Sequence, residues 1–118
     1  MSKILVVDDA AFVRMQYKKS LLDGGYDVIE ASNGNEALEK YRDTKPDGVL
    51  LDINMPEKDG IVTLQEIIDI DPKARVAMVT CVGSQSVILI ALQSGAKDFI
   101  MKPKEKDGLI DTVEKLLA

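Results

Sequence analysis

The sequence predicts an α/β fold in which five helices cover a doubly wound parallel sheet of five strands. Three observations lead to this prediction. Short β-branched runs alternate with segments of helical periodicity along all 118 residues. The runs are apolar nearly throughout, as strands buried on both faces of a parallel sheet are. No linker or second compositional region interrupts the alternation, so we expect a single domain over residues 1–118 with no output domain.

The order of the elements follows from periodicity and from helix-end signals. The predicted strands are residues 3–7, 27–31, 48–51, 75–80 and 98–101. The first helix repeats an apolar residue every fourth position and stops at Gly24-Gly25. The second begins near Asn33-Gly34 and closes before Pro46, and the third stops at Asp71-Pro72. A fourth helix, with Ser84 as its cap, runs to Gly95, and a fifth contains Leu109, Val113 and Leu116.

Charge and residue content exclude several functional classes. The chain has 15 Lys+Arg against 20 Asp+Glu, and this acidic balance disfavours binding to nucleic acid or to an anionic membrane. The chain contains no His, which excludes His-dependent catalytic triads and most zinc sites. A single Cys favours a reducing compartment, and the early Asp8-Asp9 pair is unlike a signal peptide. No apolar run approaches the length of a membrane span, so we expect a cytoplasmic protein.

Polar side chains follow four of the predicted strands at the point where each strand ends. Asp8-Asp9 follow the first strand, Asp52 ends the third, Thr80 ends the fourth and Lys102 follows the fifth. Ligands of open α/β sheets bind at the carboxyl ends of the strands, so these residues should share one edge. Each residue alone is more often a helix cap, a strand residue or a solvated side chain. Their combination at a single edge favours a functional site.

The expected chemistry is a magnesium site beside a carboxylate nucleophile. Clustered carboxylates stay ionised together when a cation joins them, and a few hard oxygen ligands suit Mg²⁺ with a phosphate. Lys102 and Thr80 would supply a point charge and a hydroxyl donor for a phosphoryl group. Because histidine is absent, the nucleophile would be a carboxylate, and the product an aspartyl phosphate.

The motifs at these strand ends identify a family resemblance. Residues 4–9 (ILVVDD), 50–56 (LLDINMP) with Asp59-Gly60, Thr80, and 95–103 (GAKDFIMKP) resemble the receiver domain of bacterial two-component response regulators. The run 8–14 (DDAAFVR) is similar to single-domain chemotaxis regulators of the CheY type. The resemblance covers essentially the whole chain and implies a flavodoxin-like, CheY-like sheet with strand order 2-1-3-4-5.

The resemblance implies a role for each site residue. Asp52 would accept a phosphoryl group from a CheA-like sensor histidine kinase or from acetyl phosphate. The implied Mg²⁺ ligands are Asp8 through water, Asp9, Asp52 and the backbone carbonyl of Asn54. The implied phosphoryl contacts are Lys102, Thr80, the Cys81 amide and Asn54. Thr80 and Phe99 would form the switch that reports phosphorylation.

The segment 87–92 (VILIAL) is apolar all round, whereas a surface helix should show an apolar stripe. Helical spacing places four residues toward the sheet: Ile88, Ala91, Leu92 and Gly95. It places Ile90 nearly opposite them and Leu89 on one flank. One exposed Ile alone means little. In the resembled family this region contacts targets, so we expect Leu89, Ile90, Lys97 and Phe99 to form part of a partner-binding face.

Alternatives remain open within and outside this interpretation. The flagellar motor switch protein is the expected target of a chemotaxis regulator, and a phosphatase is a further partner. A phosphorelay intermediate, or the receiver fragment of a larger regulator, would have the same site. A phosphatase of the haloacid dehalogenase type needs a second Asp two residues after the nucleophile, where this chain has Asn54. A flavodoxin-like nucleotide module would need a Gly- or Ser/Thr-rich loop in place of Asp8-Asp9.

Overall fold

The structure, a computed structural model, describes residues 2–53, 55, 59–80, 85–101 and 106–118. Strands and helices alternate from the first element to the last. In chain order they are β1 (Lys3–Val7), α1 (Ala11–Asp23), β2 (Asp27–Ala31), α2 (Gly34–Thr44), β3 (Gly48–Asp52), α3 (Gly60–Ile70), β4 (Val76–Thr80), α4 (Gln85–Gln93), β5 (Asp98–Met101) and α5 (Lys106–Leu117). The predicted alternation is confirmed, and strand boundaries differ from the prediction by at most one residue.

All four strand ladders are parallel, and the strand order is β2-β1-β3-β4-β5. The predicted doubly wound sheet and its order are therefore confirmed. In the two central ladders Val7 pairs with Leu51, and Asp52 pairs with Val79. This register brings the carboxyl ends of β1, β3 and β4 to the same edge of the sheet.

Alternate residues of β1 to β4 enter two separate cores, because side chains of a strand point to opposite faces. Val7, Leu51 and Met78 belong to a core that also contains buried residues of α2, α3 and α4. Val6 and Val79 belong to a second core with buried residues of α1 and α5. The sheet is thus covered on both faces, which explains why its strands are apolar nearly throughout.

Local signals in the sequence fix several helix ends. The Asn33 side chain accepts a hydrogen bond of 2.8 Å from the backbone N–H of Glu36 and caps α2. Asp59 caps α3 in the same way, accepting 2.7 Å from the N–H of Ile61. The expected cap of α4, Ser84, lies outside the described residues. In the described parts of the chain, no helix has the length and apolarity of a membrane span.

A side-chain hydrogen bond ties α2 to the end of α3. The Tyr41 hydroxyl donates to Asp71 Oδ2 at 2.9 Å, and the tyrosine itself is buried. Burial raises the pKa of the Tyr41 phenol above its ordinary value, and the bond to Asp71 raises it further. The neutral phenol is therefore the form that the fold stabilises.

The orientation of α4 differs in part from the expected one. Leu89 and Ile90 are exposed, at 55% and 48%, as predicted, and Ala91 is buried. Leu92, expected to face the sheet, is 40% exposed, and that prediction was wrong. Val87 packs against the core in its place. Val87 and Ala91 are one turn apart, so they lie on the same face of α4, and this face packs against the core. Leu92 follows Ala91 and is rotated by about 100° from it around the helix axis, which brings its side chain to solvent.

Candidate metal and phosphoacceptor site

Three carboxylates meet at the carboxyl edge of the sheet. Asp8 and Asp9 follow β1 and Asp52 ends β3, and these two strands are neighbours in the sheet. One oxygen from each of the three groups lies within 4.8 Å of the others. Asp8 is 2% exposed and Asp52 4%, whereas Asp9 faces solvent. The predicted convergence of these residues is confirmed.

Hydrogen bonds hold the backbone N–H, the carboxylate and the carbonyl oxygen of Asp8. Its backbone N–H donates to the Ala31 carbonyl at 3.1 Å, which extends the β1–β2 ladder by one residue. Its carboxylate Oδ1 accepts 2.9 Å from the N–H of Ala10, closing a tight turn before α1. The Asp8 carbonyl accepts 2.7 Å from Arg14 Nη1. Arg14 had no predicted role, since nothing in the local sequence indicates which carbonyl oxygen its side chain reaches.

The backbone of Asp52 and Ile53 is pressed against the start of α3. The Ile53 N–H donates to the Val79 carbonyl at 3.0 Å, and the Gly60 N–H donates to the Ile53 carbonyl at 3.0 Å. A Cβ on Gly60 would lie 2.7 Å from Ile53 Cα and 3.0 Å from the Asp52 carbonyl carbon, and it would also collide with the Asp52 carbonyl oxygen. Glycine at position 60 therefore lets α3 begin directly behind Asp52.

Thr80 and Phe99 lie on β4 and β5, the two strands that follow β3 in the sheet order. Thr80 is buried at the end of β4, one residue beyond Val79, the ladder partner of Asp52. Strand alternation therefore turns Thr80 toward the face that α4 covers, together with Met78. Phe99 pairs with Met78 in the β4–β5 ladder and is 39% exposed. The two predicted switch residues thus lie on adjacent strands and on the same face.

Three predicted site residues, Asn54, Cys81 and Lys102, lie outside the described residues. The described part of the site is a set of carboxylate oxygens. Mg²⁺ prefers hard oxygen ligands, and this site offers a few of them. The exposed Asp9 leaves the site open to solvent. The donor set therefore fits a divalent cation that keeps several waters.

The structure is thus a doubly wound parallel sheet with a buried acidic pair, Asp8 and Asp52, at its carboxyl edge. The family model described as the response regulator receiver domain matches residues 4–114. The chain belongs to the response regulator receiver domain family.

Individual relatives agree with this placement. The chain is 49% identical to the chemotaxis protein CheY of Bacillus subtilis over 98% of its length and 97% of the relative. It is 44% identical to the chemotaxis protein CheY of Thermotoga maritima, over 97% and 96% of the two chains. The structure of the Vibrio cholerae chemotaxis protein CheY4 superposes with a TM-score of 0.95 at 28% identity, covering 99% of each chain. The chain is thus a CheY-like receiver domain.

Proposed function

We propose that this protein is a two-component response regulator that accepts a phosphoryl group on Asp52. The observation that carries the proposal is the convergence of Asp8, Asp9 and Asp52 within 4.8 Å in a chain of the receiver family. The acceptor is an ionised carboxylate, and the donor is a phosphohistidine of a sensor histidine kinase or a small acyl phosphate. The donor histidine must come from another protein, because this chain has none.

In the proposed transfer, an Asp52 oxygen forms a bond to phosphorus while the phosphorus–nitrogen bond to the donor histidine breaks. The bonding electrons leave with the imidazole, which takes up a proton. Asp52 is well placed to act as nucleophile, because its backbone is packed on Gly60 and its side chain is shielded from bulk water. Asp8, Asp9, Asp52 and the Asn54 carbonyl would hold Mg²⁺, which when bound offsets the negative charge of the carboxylates and of the phosphoryl group.

The remaining predicted residues complete the proposal. Lys102 and the Cys81 amide would bind phosphoryl oxygens, as would Asn54. Thr80 would donate its hydroxyl to the phosphoryl group, and Phe99 would then turn inward from its exposed position. Because Thr80 and Phe99 share the sheet face that α4 covers, a change at Thr80 reaches the surface through β5 and α4.

The surface that reads this change is proposed to include Leu89, Ile90, Phe99 and Lys97. The three apolar residues are 55%, 48% and 39% exposed, respectively, and Lys97 is also exposed. Contiguous exposed apolar side chains are typical of protein-binding surfaces, and we propose that these three share one. The relatives named chemotaxis protein CheY support a chemotaxis role. We further propose that residues 1–118 act as a single receiver domain in the cytoplasm and that the target is the flagellar motor switch protein.

The phosphoacceptor proposal is tested by mass spectrometry after incubation with acetyl phosphate and Mg²⁺. We expect wild type to gain one phosphoryl group, and both Asp52→Asn and wild type in EDTA to gain none. Asp69→Asn, which removes an exposed carboxylate from α3, is the matched control and should gain one. Labelling that persists in Asp52→Asn, or its absence from wild type, would refute the proposal.

The target role is tested by measuring binding to a motor switch protein with and without phosphorylation. We expect phosphorylation to strengthen binding, and Ile90→Glu to abolish that gain. Val62→Glu is the matched control, because Val62 is 45% exposed on α3, which contributes no residue to the proposed surface. Transfer of the phosphoryl group to a second histidine protein, with no binding to the motor switch protein, would favour the phosphorelay alternative.

A further inference from the structure

Arg14 links residues 8–10 between β1 and α1, here called the acidic loop, to the edge strand β2. It lies in the first turn of α1, and its side chain is 17% exposed. Nη1 donates to the carbonyl oxygen of Asp8 at 2.7 Å, while Nε lies 3.4 Å from Glu30 Oε1. A single guanidinium thus contacts both the first residue of the acidic cluster and a carboxylate on β2.

Glu30 is itself fixed by the sheet. Its backbone pairs with Val6 in the β1–β2 ladder, two residues before Asp8. Its other oxygen, Oε2, lies 3.4 Å from Lys18 Nζ, one helical turn beyond Arg14 on the same side of α1. Glu30 therefore contacts the guanidinium from a strand whose backbone is fixed by the sheet, and Lys18 contacts the same carboxylate.

The contact to the Asp8 carbonyl completes the restraints on this residue. The N–H is held by Ala31 and the carboxylate by Ala10, so the third contact fixes the peptide plane that leads from Asp8 to Asp9. Rotation of that plane would swing the Asp9 carboxylate away from the other two. The planar guanidinium suits this task, because it presents several N–H donors in a rigid arrangement.

We propose that Arg14 is a positioning residue for the divalent-cation site, acting through the Asp8–Asp9 peptide and anchored by Glu30. The inference rests on the proposed function in that it takes the acidic cluster to be a Mg²⁺ site. It adds a residue that does not contact the cation but sets how well the carboxylates meet it. Groups that orient metal ligands typically change metal affinity by about 10–100-fold when they are removed.

A charge effect and a positioning effect predict opposite changes in Mg²⁺ affinity when the Arg14 side chain is removed. Removing a positive charge close to a cation site favours Mg²⁺ binding on Coulombic grounds alone. Loss of the contact to the Asp8 carbonyl weakens binding, because the carboxylates are no longer pre-arranged. A weaker affinity in the variant is therefore a signature of positioning that a simple charge effect cannot produce.

The experiment measures the dissociation constant for MgCl₂ by titration calorimetry on the unphosphorylated protein, with thermal unfolding in EDTA recorded for each variant. We expect Arg14→Gln to weaken binding by about tenfold or more. Arg14→Lys keeps the charge, but one nitrogen cannot hold both partners, so it should weaken binding as well. Lys18→Gln, the matched control, removes the same charge and the other Glu30 contact, and should change affinity by less than about twofold.

Affinity in both Arg14 variants that is equal to or tighter than that of wild type overturns the inference, whatever their thermal stability. An equal loss in Lys18→Gln also overturns it, since Lys18 does not contact the loop. If wild type itself fails to bind Mg²⁺, the proposed metal site fails rather than the assignment of Arg14 within it. The unphosphorylated protein keeps the two results separate, because phosphoryl transfer does not enter the measurement.

Discussion

Replacement of Gly60 by alanine should destabilise the fold and disturb the acidic site together. The new Cβ would lie 2.7 Å from Ile53 Cα and 3.0 Å from the Asp52 carbonyl carbon, and it would collide with the Asp52 carbonyl oxygen. All three are backbone atoms, so no side-chain rotation relieves the contact. Either the first turn of α3 or the end of β3 must move.

The size of the effect follows from the cost of overpacking. Such contacts cost about 1–3 kcal/mol and occasionally more, while alanine at a helical position regains roughly 0.5–1 kcal/mol over glycine. Because three backbone atoms are contacted, the cost lies at the upper end, about 3 kcal/mol, and we expect a net loss of about 2 kcal/mol in the free energy of unfolding. With an unfolding entropy of about 2.1 cal/mol/K per residue, this loss lowers Tm by about 8 °C for 118 residues.

The assay is thermal unfolding followed by circular dichroism in EDTA, paired with the Mg²⁺ dissociation constant. Gly24→Ala is the matched control. Its Cβ would meet Ile110 Cδ1 at 2.5 Å, but that atom is the end of a flexible, partly buried side chain far from the acidic site. We expect a smaller loss of stability in Gly24→Ala and an unchanged Mg²⁺ affinity. A Gly60→Ala protein with wild-type Tm and Mg²⁺ affinity would refute the reasoning.

Three further predictions concern stability. Asp9→Ala and Asp8→Ala should both raise Tm in EDTA, because each relieves carboxylate repulsion, and both should weaken Mg²⁺ binding. The gain in Tm should be smaller in Asp8→Ala, because that variant also loses a turn hydrogen bond. A lower Tm in both variants would contradict this prediction. Tyr41→Phe should lower the free energy of unfolding by about 1 kcal/mol in urea titrations near neutral pH. Because the fold raises the pKa of the Tyr41 phenol, the stabilisation by this hydroxyl is complete below the ordinary pKa of 10.0 and is lost as pH rises above it. The difference in unfolding free energy between Tyr41→Phe and wild type should therefore shrink at high pH. A difference that grows there would contradict the prediction. Asn33→Ala should cost about 1 kcal/mol through loss of the α2 cap, whereas Asn33→Asp should retain most of the stability in the same titration.

The fold was predictable from the sequence because its signals are local. The run 3–7 is apolar and β-branched after Lys3, and 27–31 has Val28 and Ile29 between its two acids; they became β1 and β2 with the predicted boundaries. The convergence of Asp8, Asp9 and Asp52 was predictable as well, because parallel strands bring their carboxyl ends to one edge. In both cases the position along the chain determines the position in space.

The features that the sequence analysis missed depend on packing between distant segments. The contact between Gly60 and the Asp52 backbone depends on how closely α3 approaches β3, which no local pattern encodes. The partners of Arg14 lie on β1 and β2, and they become visible only once the register is known. Leu92 was assigned to the wrong side of α4 because an all-apolar helix gives no contrast from which to read its rotation.

The strand order has a consequence for how the chain folds during synthesis. β2 and β3 both pair with β1, β4 pairs with β3, and β5 pairs with β4, so each strand after the first finds its neighbour already synthesised. No strand therefore depends on a later one for its first partner in the sheet. The three carboxylates lie at the ends of β1 and β3, so they are synthesised before β4 and β5, the strands proposed to carry the switch.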